Sequence, residues 1–311
     1  MPLHPETVTV LQLIKDSGRP PMHTLSAAEA REVSARSRAI MQPTPPEVAL
    51  VEALSCPGPA GEIRLRHYRG AGTNADDVLP GVVFFHGGGW VIGDLDSHDQ
   101  VCRALANYAQ CSVVAVDYRM APEHVFPAAV EDSVAAYAWV CAQAEALRID
   151  PARIAVGGDS AGGNLATVVA LAARDGAAPL PCFQWLVYPA VDMAANTPSC
   201  ERVQDGFILT QATMKWFIGH YAPVVQDWRA SPIRAASLAG LPPALVLTCH
   251  FDPLCDEGIA YAQRLNTEGV RVQHVHMNDQ MHAFLTMGRF IGAADMAIRH
   301  AAVALRDAWR A

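Results

Sequence analysis

The sequence predicts an α/β fold built on a mostly parallel sheet. Two observations carry that expectation: short apolar runs such as Gly81-Val-Val-Phe-Phe85 with no polar alternation, and amphipathic helical stretches between successive runs. A third is size, since 311 residues with 51% apolar and 17% charged side chains can bury a large core.

The elements follow in order. Ser26 with Glu29 three positions later forms a capping box and predicts a helix over Ala27–Ile40, preceded by another over Glu6–Lys15. The proline-rich stretch Gln42–Glu47 separates these from the rest and sets a division between residues 1–45 and 46–311. Strands are expected at Glu62–Tyr68, Gly81–Phe85, Ser112–Asp117, Arg153–Gly157, Phe183–Tyr188, Ala244–Cys249 and Val270–His276. Between them, Val130, Val134, Tyr137, Ala138 and Cys141 fall on one helical face. The alternation breaks after Tyr188, where a helix from Thr210 to Tyr221 carries Met214, Phe217 and Tyr221 on one side. This helix reads as core packing or as part of a cap inserted at about 190–225, covering the site together with the N-terminal helices.

Composition excludes several classes. The formal charge of -8 and the lack of a Lys/Arg cluster argue against a nucleic-acid partner. Glu6, Lys15 and Asp16 interrupt the N-terminus, so it does not read as a secretory signal. Runs such as Ala166–Ala173 are too short to span a membrane. The eight cysteines show no CxxC pair, so neither a zinc site nor a disulfide framework is expected, and the thiols read as reduced in a cytoplasmic protein. A homodimer is carried as an expectation.

Four segments carry chemistry. Gly158-Asp-Ser-Ala-Gly-Gly163 follows a predicted strand and opens the stripe Leu165, Val168, Val169, Ala172, the context of a nucleophile elbow centred on Ser160. His86-Gly-Gly-Gly-Trp90 also follows a strand. Its bare amides at Gly88 and Gly89, with that of Ala161, suit a developing oxyanion, whereas a phosphate loop would require a following Lys-Ser/Thr. A serine needs a base and an orienting acid in the order Ser, Asp, His, and Asp252 and His282 lie just beyond the last two predicted strands. Asp256 is the competing carboxylate, His274 and His276 share a strand face without a third ligand and so predict no metal site, and Asp159 is expected to shape the elbow.

In this order the motifs resemble the bacterial hormone-sensitive-lipase-like carboxylesterases of the α/β-hydrolase superfamily: His86–Trp90, Tyr118-Arg-Met-Ala-Pro-Glu-His124, Gly158–Gly163, Asp252-Pro-Leu254 with Asp256-Glu-Gly258, and His282-Ala-Phe284. The resemblance runs from about residue 45 onward. It implies an α/β-hydrolase fold with an eight-stranded sheet and helical cap, no cofactor, and a small-molecule ester substrate of short to medium acyl chain. It departs at Asp279 and Ala283, where the family often has glycine, and at Met120, more often Leu there. Arg119 and Glu123 are expected to form a buried pair bracing the oxyanion loop. Trp90, Phe207, Met214 and Trp216 are the expected lining of the substrate pocket. Rival readings are an amidase or acyltransferase on the same site, or a ligand-binding protein that has lost catalysis.

Overall fold

A computed structural model describes residues 2–310. Eight strands form one sheet: β1 Leu50–Gly58, β2 Gly61–Arg69, β3 Leu79–Phe85, β4 Ser112–Asp117, β5 Ile149–Asp159, β6 Gln184–Val187, β7 Ala244–Phe251 and β8 Val272–Met281. Their spatial order is β1-β2-β4-β3-β5-β6-β7-β8, with β1, β2 and β4 joined antiparallel and every later pairing parallel. The parallel strands are buried on both faces: Val82, Val83, Phe84 and Phe85 are all inaccessible, which is why they read as an unbroken apolar run.

Helices cover both sides. α3 (Asp99–Ala109) and α9 (Gly292–Ala308) pack one face through Val101, Leu105, Ile298 and Leu305. α4 (Ala128–Ala142), α5 (Ala161–Arg174) and α8 (Cys255–Thr267) pack the other through Val140, Leu165, Val168 and Tyr261. The N-terminal α1 (Pro5–Asp16) and α2 (Ala27–Met41) lie outside the sheet, and α2 begins at the expected capping box, in which the Glu29 N–H donates to Ser26 Oγ and the Ser26 N–H to Glu29. Two further helices, α6 (Pro198–Arg202) and α7 (Gln211–Tyr221), interrupt the chain between β6 and β7.

Four readings require correction. β1 was not expected: it is an antiparallel edge strand, exposed at most positions, with polar residues and Pro57 breaking its pattern. β8 runs to Met281 rather than stopping at His276, because Asn278-Asp-Gln280 is polar yet still extended. On α4 the buried face is Val130, Ser133, Ala136, Tyr137 and Val140, whereas Val134, Ala138 and Cys141 sit half-buried to the side. The small side chains at 133 and 136 permit closer packing than an apolar count suggests. Finally, Arg119 does not pair with Glu123. It grips buried Asp132 of α4 through Nε and Nη2, at 2.7–3.0 Å, while exposed Glu123 pairs with Arg31 of α2 at 2.6 Å. The Arg31 guanidinium holds the Glu123 carboxyl well below the usual carboxylate range.

Candidate active site

The parallel strands end on one side of the sheet, and three loops there converge. β5 runs straight into Ser160, whose backbone at φ 55° and ψ -118° marks a sharp strand-to-helix turn. The flanking glycines are required by close approach. A Cβ at Gly158 would lie 2.6 Å from the Phe85 carbonyl oxygen, and one at Gly162 would collide with the same carbonyl. The turn is pinned by the Ser160 N–H donating to Val187 at 2.9 Å and the Ala190 N–H donating back to Ser160 at 3.2 Å. Asn164, one turn into α5, donates to the carbonyls of Ala190 (2.8 Å) and Ala230 (2.9 Å), tying the elbow to the chain after β6.

The end of β8 delivers His282. Its Nε2 lies 2.9 Å from Ser160 Oγ and its Nδ1 lies 2.7 Å from Asp252 Oδ2, at the end of β7. Asp252 is fully buried, and its second oxygen accepts from the Leu254 N–H at 2.8 Å. A buried carboxylate on Nδ1 leaves Nε2 free to accept from the hydroxyl, the arrangement a general base requires. Asp256, the competing acid, instead accepts from the Ser199 N–H at 2.8 Å and does not touch the imidazole. Ala283 takes the left-handed conformation (φ 67°) where the resembling family has glycine. The loop nevertheless brings His282 to the hydroxyl.

After β3, Gly88 (φ 128°) and Gly89 (φ 58°) adopt conformations that suit glycine. Among the described residues, the N–H groups of Gly88, Gly89 and Ala161 donate to no protein acceptor. The loop is held from behind. Asp159 accepts from the Gly87 N–H at 2.8 Å and sits 2.9 Å from His98 Nε2. Burial alone would raise the Asp159 carboxyl, but His98 and the Gly87 N–H outweigh it and keep it below the usual carboxylate range. His86 is lowered by burial, stays a neutral ring stacked on Tyr118, and bonds the Gly87 carbonyl through Nδ1 at 2.8 Å. Both residues therefore hold the loop after β3, whereas Asp159 was expected to shape the elbow.

A cavity of about 420 Å³ opens over Ser160 and His282. Trp90 and Met214 line it, as do Met22, Ile208, Phe217 and Ile218. Phe207 and Trp216 do not. Phe207 stacks on Phe251 with ring centroids 5.7 Å apart, and Trp216 turns away to donate its indole N–H to the Leu25 carbonyl at 3.1 Å. Their one-residue offsets along the insertion were not readable without its fold. His274 and His276 both bond Thr248 Oγ1, at 2.9 and 2.8 Å, and among the described residues no cluster of His, Cys, Asp or Glu is arranged to hold a metal.

Residues 82–286 match the family described as alpha/beta hydrolase fold, well over half of the chain. The chain belongs to the α/β-hydrolase family. Within it, the chain falls among the carboxylesterases that resemble hormone-sensitive lipase. It is 44% identical over 283 residues to the carboxylic ester hydrolase LipN of Mycobacterium tuberculosis, covering 88% of this chain and 74% of that one. It is 40% identical over 309 residues to an ethyl acetate hydrolase of Pseudomonas putida, covering 95% and 96%. Its structure is similar to that of the ester-hydrolase EH1AB1 from the metagenome of Lake Arreo, with a TM-score of 0.95, 41% identity, and coverage of 99% and 100%. The family match, residues 82–286, includes Ser160, Asp252 and His282.

Sequence reading missed Glu257, which is buried in α8 and accepts from the N–H groups of Val191 (2.7 Å) and Asp192 (3.1 Å) through one oxygen. Its other oxygen has no partner among the described residues, and burial pushes its carboxyl up to about 8. The acid therefore braces the chain beside Ala190, which borders the cavity. Nothing local in Asp256-Glu-Gly258 signalled that contact.

Proposed function

We propose that this carboxylesterase hydrolyses short to medium acyl esters through an acyl-enzyme on Ser160. His282 takes the hydroxyl proton as Oγ attacks the ester carbonyl, and returns it to the departing alcohol. Water then enters by the same path, and the acid is released. Asp252 holds the imidazole in the tautomer with Nε2 unprotonated. The N–H groups of Gly88, Gly89 and Ala161 donate to the carbonyl oxygen as it gains charge, each such donor contributing about 2.7–4 kcal/mol in comparable sites. The observation that carries this reading is the continuous contact from Asp252 through His282 to Ser160, at 2.7 and 2.9 Å.

The first 45 residues and the insertion near 190–225 act as a cap, a role supported by the apolar cavity wall that both contribute. Among the described residues no helix is long and apolar enough to cross a membrane, and free thiols at all eight cysteines suit a cytoplasmic enzyme. The test is a chain-length series of p-nitrophenyl esters with wild type and Ser160→Ala. Activity should fall by about 10⁶ in the variant and peak at short acyl chains. Equal rates in the two proteins would overturn the mechanism. A matched amide series, turned over as fast as the esters, would move the reading to an amidase.

A further inference from the structure

The cavity roof carries a charge that ester cleavage does not use. Five Arg and Asp side chains line the cavity: Arg19, Arg31, Arg38, Asp94 and Asp159. Four have a polar partner in the protein. Arg31 pairs with Glu123 at 2.6 Å, Arg38 with Asp94 at 2.7 Å, and Asp159 with His98 at 2.9 Å. Arg19, in the loop between α1 and α2, has no carboxylate within 4.0 Å among the described residues. Its side chain makes one bond, Nη1 donating to Ser37 Oγ at 3.0 Å, and that hydroxyl already donates to the Val33 carbonyl at 2.9 Å.

This cation is half-buried, not on a free surface. Burial lowers the Arg19 guanidinium from its ordinary value, and no neighbouring carboxylate pulls it back. It remains protonated even so. A partly desolvated cation with unused donors is unfavourable in the empty enzyme, and an incoming anion relieves that cost. Around it the wall offers hydrocarbon and thioether as well: Ile14, Met22, Val33 and Met41 line the same cavity. The distance between the cation and the reacting serine would thus be spanned by an apolar linker.

We propose that the cavity takes esters carrying a second, anionic group joined to the ester by an aliphatic chain, with Arg19 binding that carboxylate. The substrate class is the half-ester of an aliphatic dicarboxylic acid or the acyl ester of an ω-hydroxy acid, which present the same carboxylate from the acyl or the alcohol side. The inference rests on the esterase reading of Ser160 and His282.

The experiment measures kcat/KM for ethyl half-esters of a graded series of linear diacids, each paired with a neutral ethyl ester of equal length. A second arm uses acetyl esters of ω-hydroxy acids paired with alkyl acetates. At the best chain length, Arg19→Gln should lower the ratio of anionic to neutral substrate by about tenfold, chiefly through KM, and Arg19→Lys should retain most of it. The wild-type preference should also shrink with added salt, as a half-exposed ion contact must. Whichever arm responds identifies the side that carries the anion. Identical ratios in wild type and Arg19→Gln at every length in both arms overturn the proposal while leaving the esterase intact. Failure of wild type to cleave the neutral esters would instead defeat the esterase reading, and unequal melting temperatures would expose a folding defect in a variant.

Discussion

The floor and the roof of the cavity are built by different means. The floor, at the ends of β3, β5, β7 and β8, is set by backbone: glycines at 87, 158 and 162 where no Cβ fits, amide bonds locking Ser160, and a fully buried Asp252. The roof of α1, α2 and α7 is attached by a few isolated bonds, the Phe126 N–H donating to the Tyr221 carbonyl at 2.9 Å and Arg31 reaching the Val91 and Ala121 carbonyls, each at 2.8 Å, while Trp216 reaches Leu25 within the roof. Reaction geometry therefore resides in parts that tolerate no substitution. Substrate choice resides in parts that can change side chain by side chain.

The hardest test of that contrast is at the floor. Asp252→Asn preserves shape but favours the wrong imidazole tautomer, and kcat should fall by about 10⁴. Asp256→Asn, four residues away on α8, should cost less than about threefold, since its partners are Ser199 and Arg202. A reversal of the two would reassign the orienting acid.

A second comparison makes one chemical change on each side. Gly89→Ala places a methyl group against the Phe217 ring at a φ of 58°, so the loop must shift and an oxyanion donor moves with it. Turnover should fall by about 10²–10³. Gly219→Ala, on α7 with nothing near the added carbon, should stabilise the protein by up to about 1 kcal/mol and leave kcat alone. Thermal melts alongside kinetics separate the two effects, and a silent Gly89→Ala would remove that loop from the mechanism.

Glu257 extends the floor's logic to pH. Its carboxyl stands at about 8 in the folded chain, against about 4.5 when unfolded, because burial disfavours the charge. Between those values the unfolded chain has lost the proton that the native chain keeps. Stability from this group is therefore complete below about pH 4.5 and declines as pH rises toward 8. The melting temperature should fall across that window by several degrees, and Glu257→Gln, which keeps the acceptor for Val191 and Asp192, should flatten the decline. A wild-type profile with no downward slope from pH 5 to 8 would show that the acid ionises without penalty.

The same division explains what could be read from the chain alone. Floor residues announce themselves, because a strained serine, stacked glycines and strand-end Asp and His are local signals in a fixed order. The roof does not. Phe207 and Trp216 are as apolar as Met214 and Phe217, and only the packing of the insertion decides which pair faces the cavity. Arg119 and Glu123 are close in sequence with opposite charges, yet each has a better partner brought in by folding: Asp132 on α4 for one, Arg31 on α2 for the other. β1 was hidden because an edge strand exposed on both sides needs no apolar pattern.

Ala283 tests the border between the two regimes with the smallest expected effect. It follows the base His282 and holds φ at 67°, a conformation that is costly for an L residue and free for glycine, the residue that the resembling family often has there. The imidazole nonetheless lies 2.9 Å from Ser160 Oγ. The strain is therefore sustained by contacts around the loop, such as the Tyr188 ring 4.5 Å from the His282 ring, and does not displace the base. Ala283→Gly relieves the strain but adds freedom to the unfolded chain, and these oppose each other at about 1 kcal/mol each. Stability should move by less than about 1 kcal/mol, and kcat/KM for a short ester should stay within about threefold. A tenfold gain in kcat would mean that Ala283 restrains the base, placing this residue with the tunable roof rather than the fixed floor.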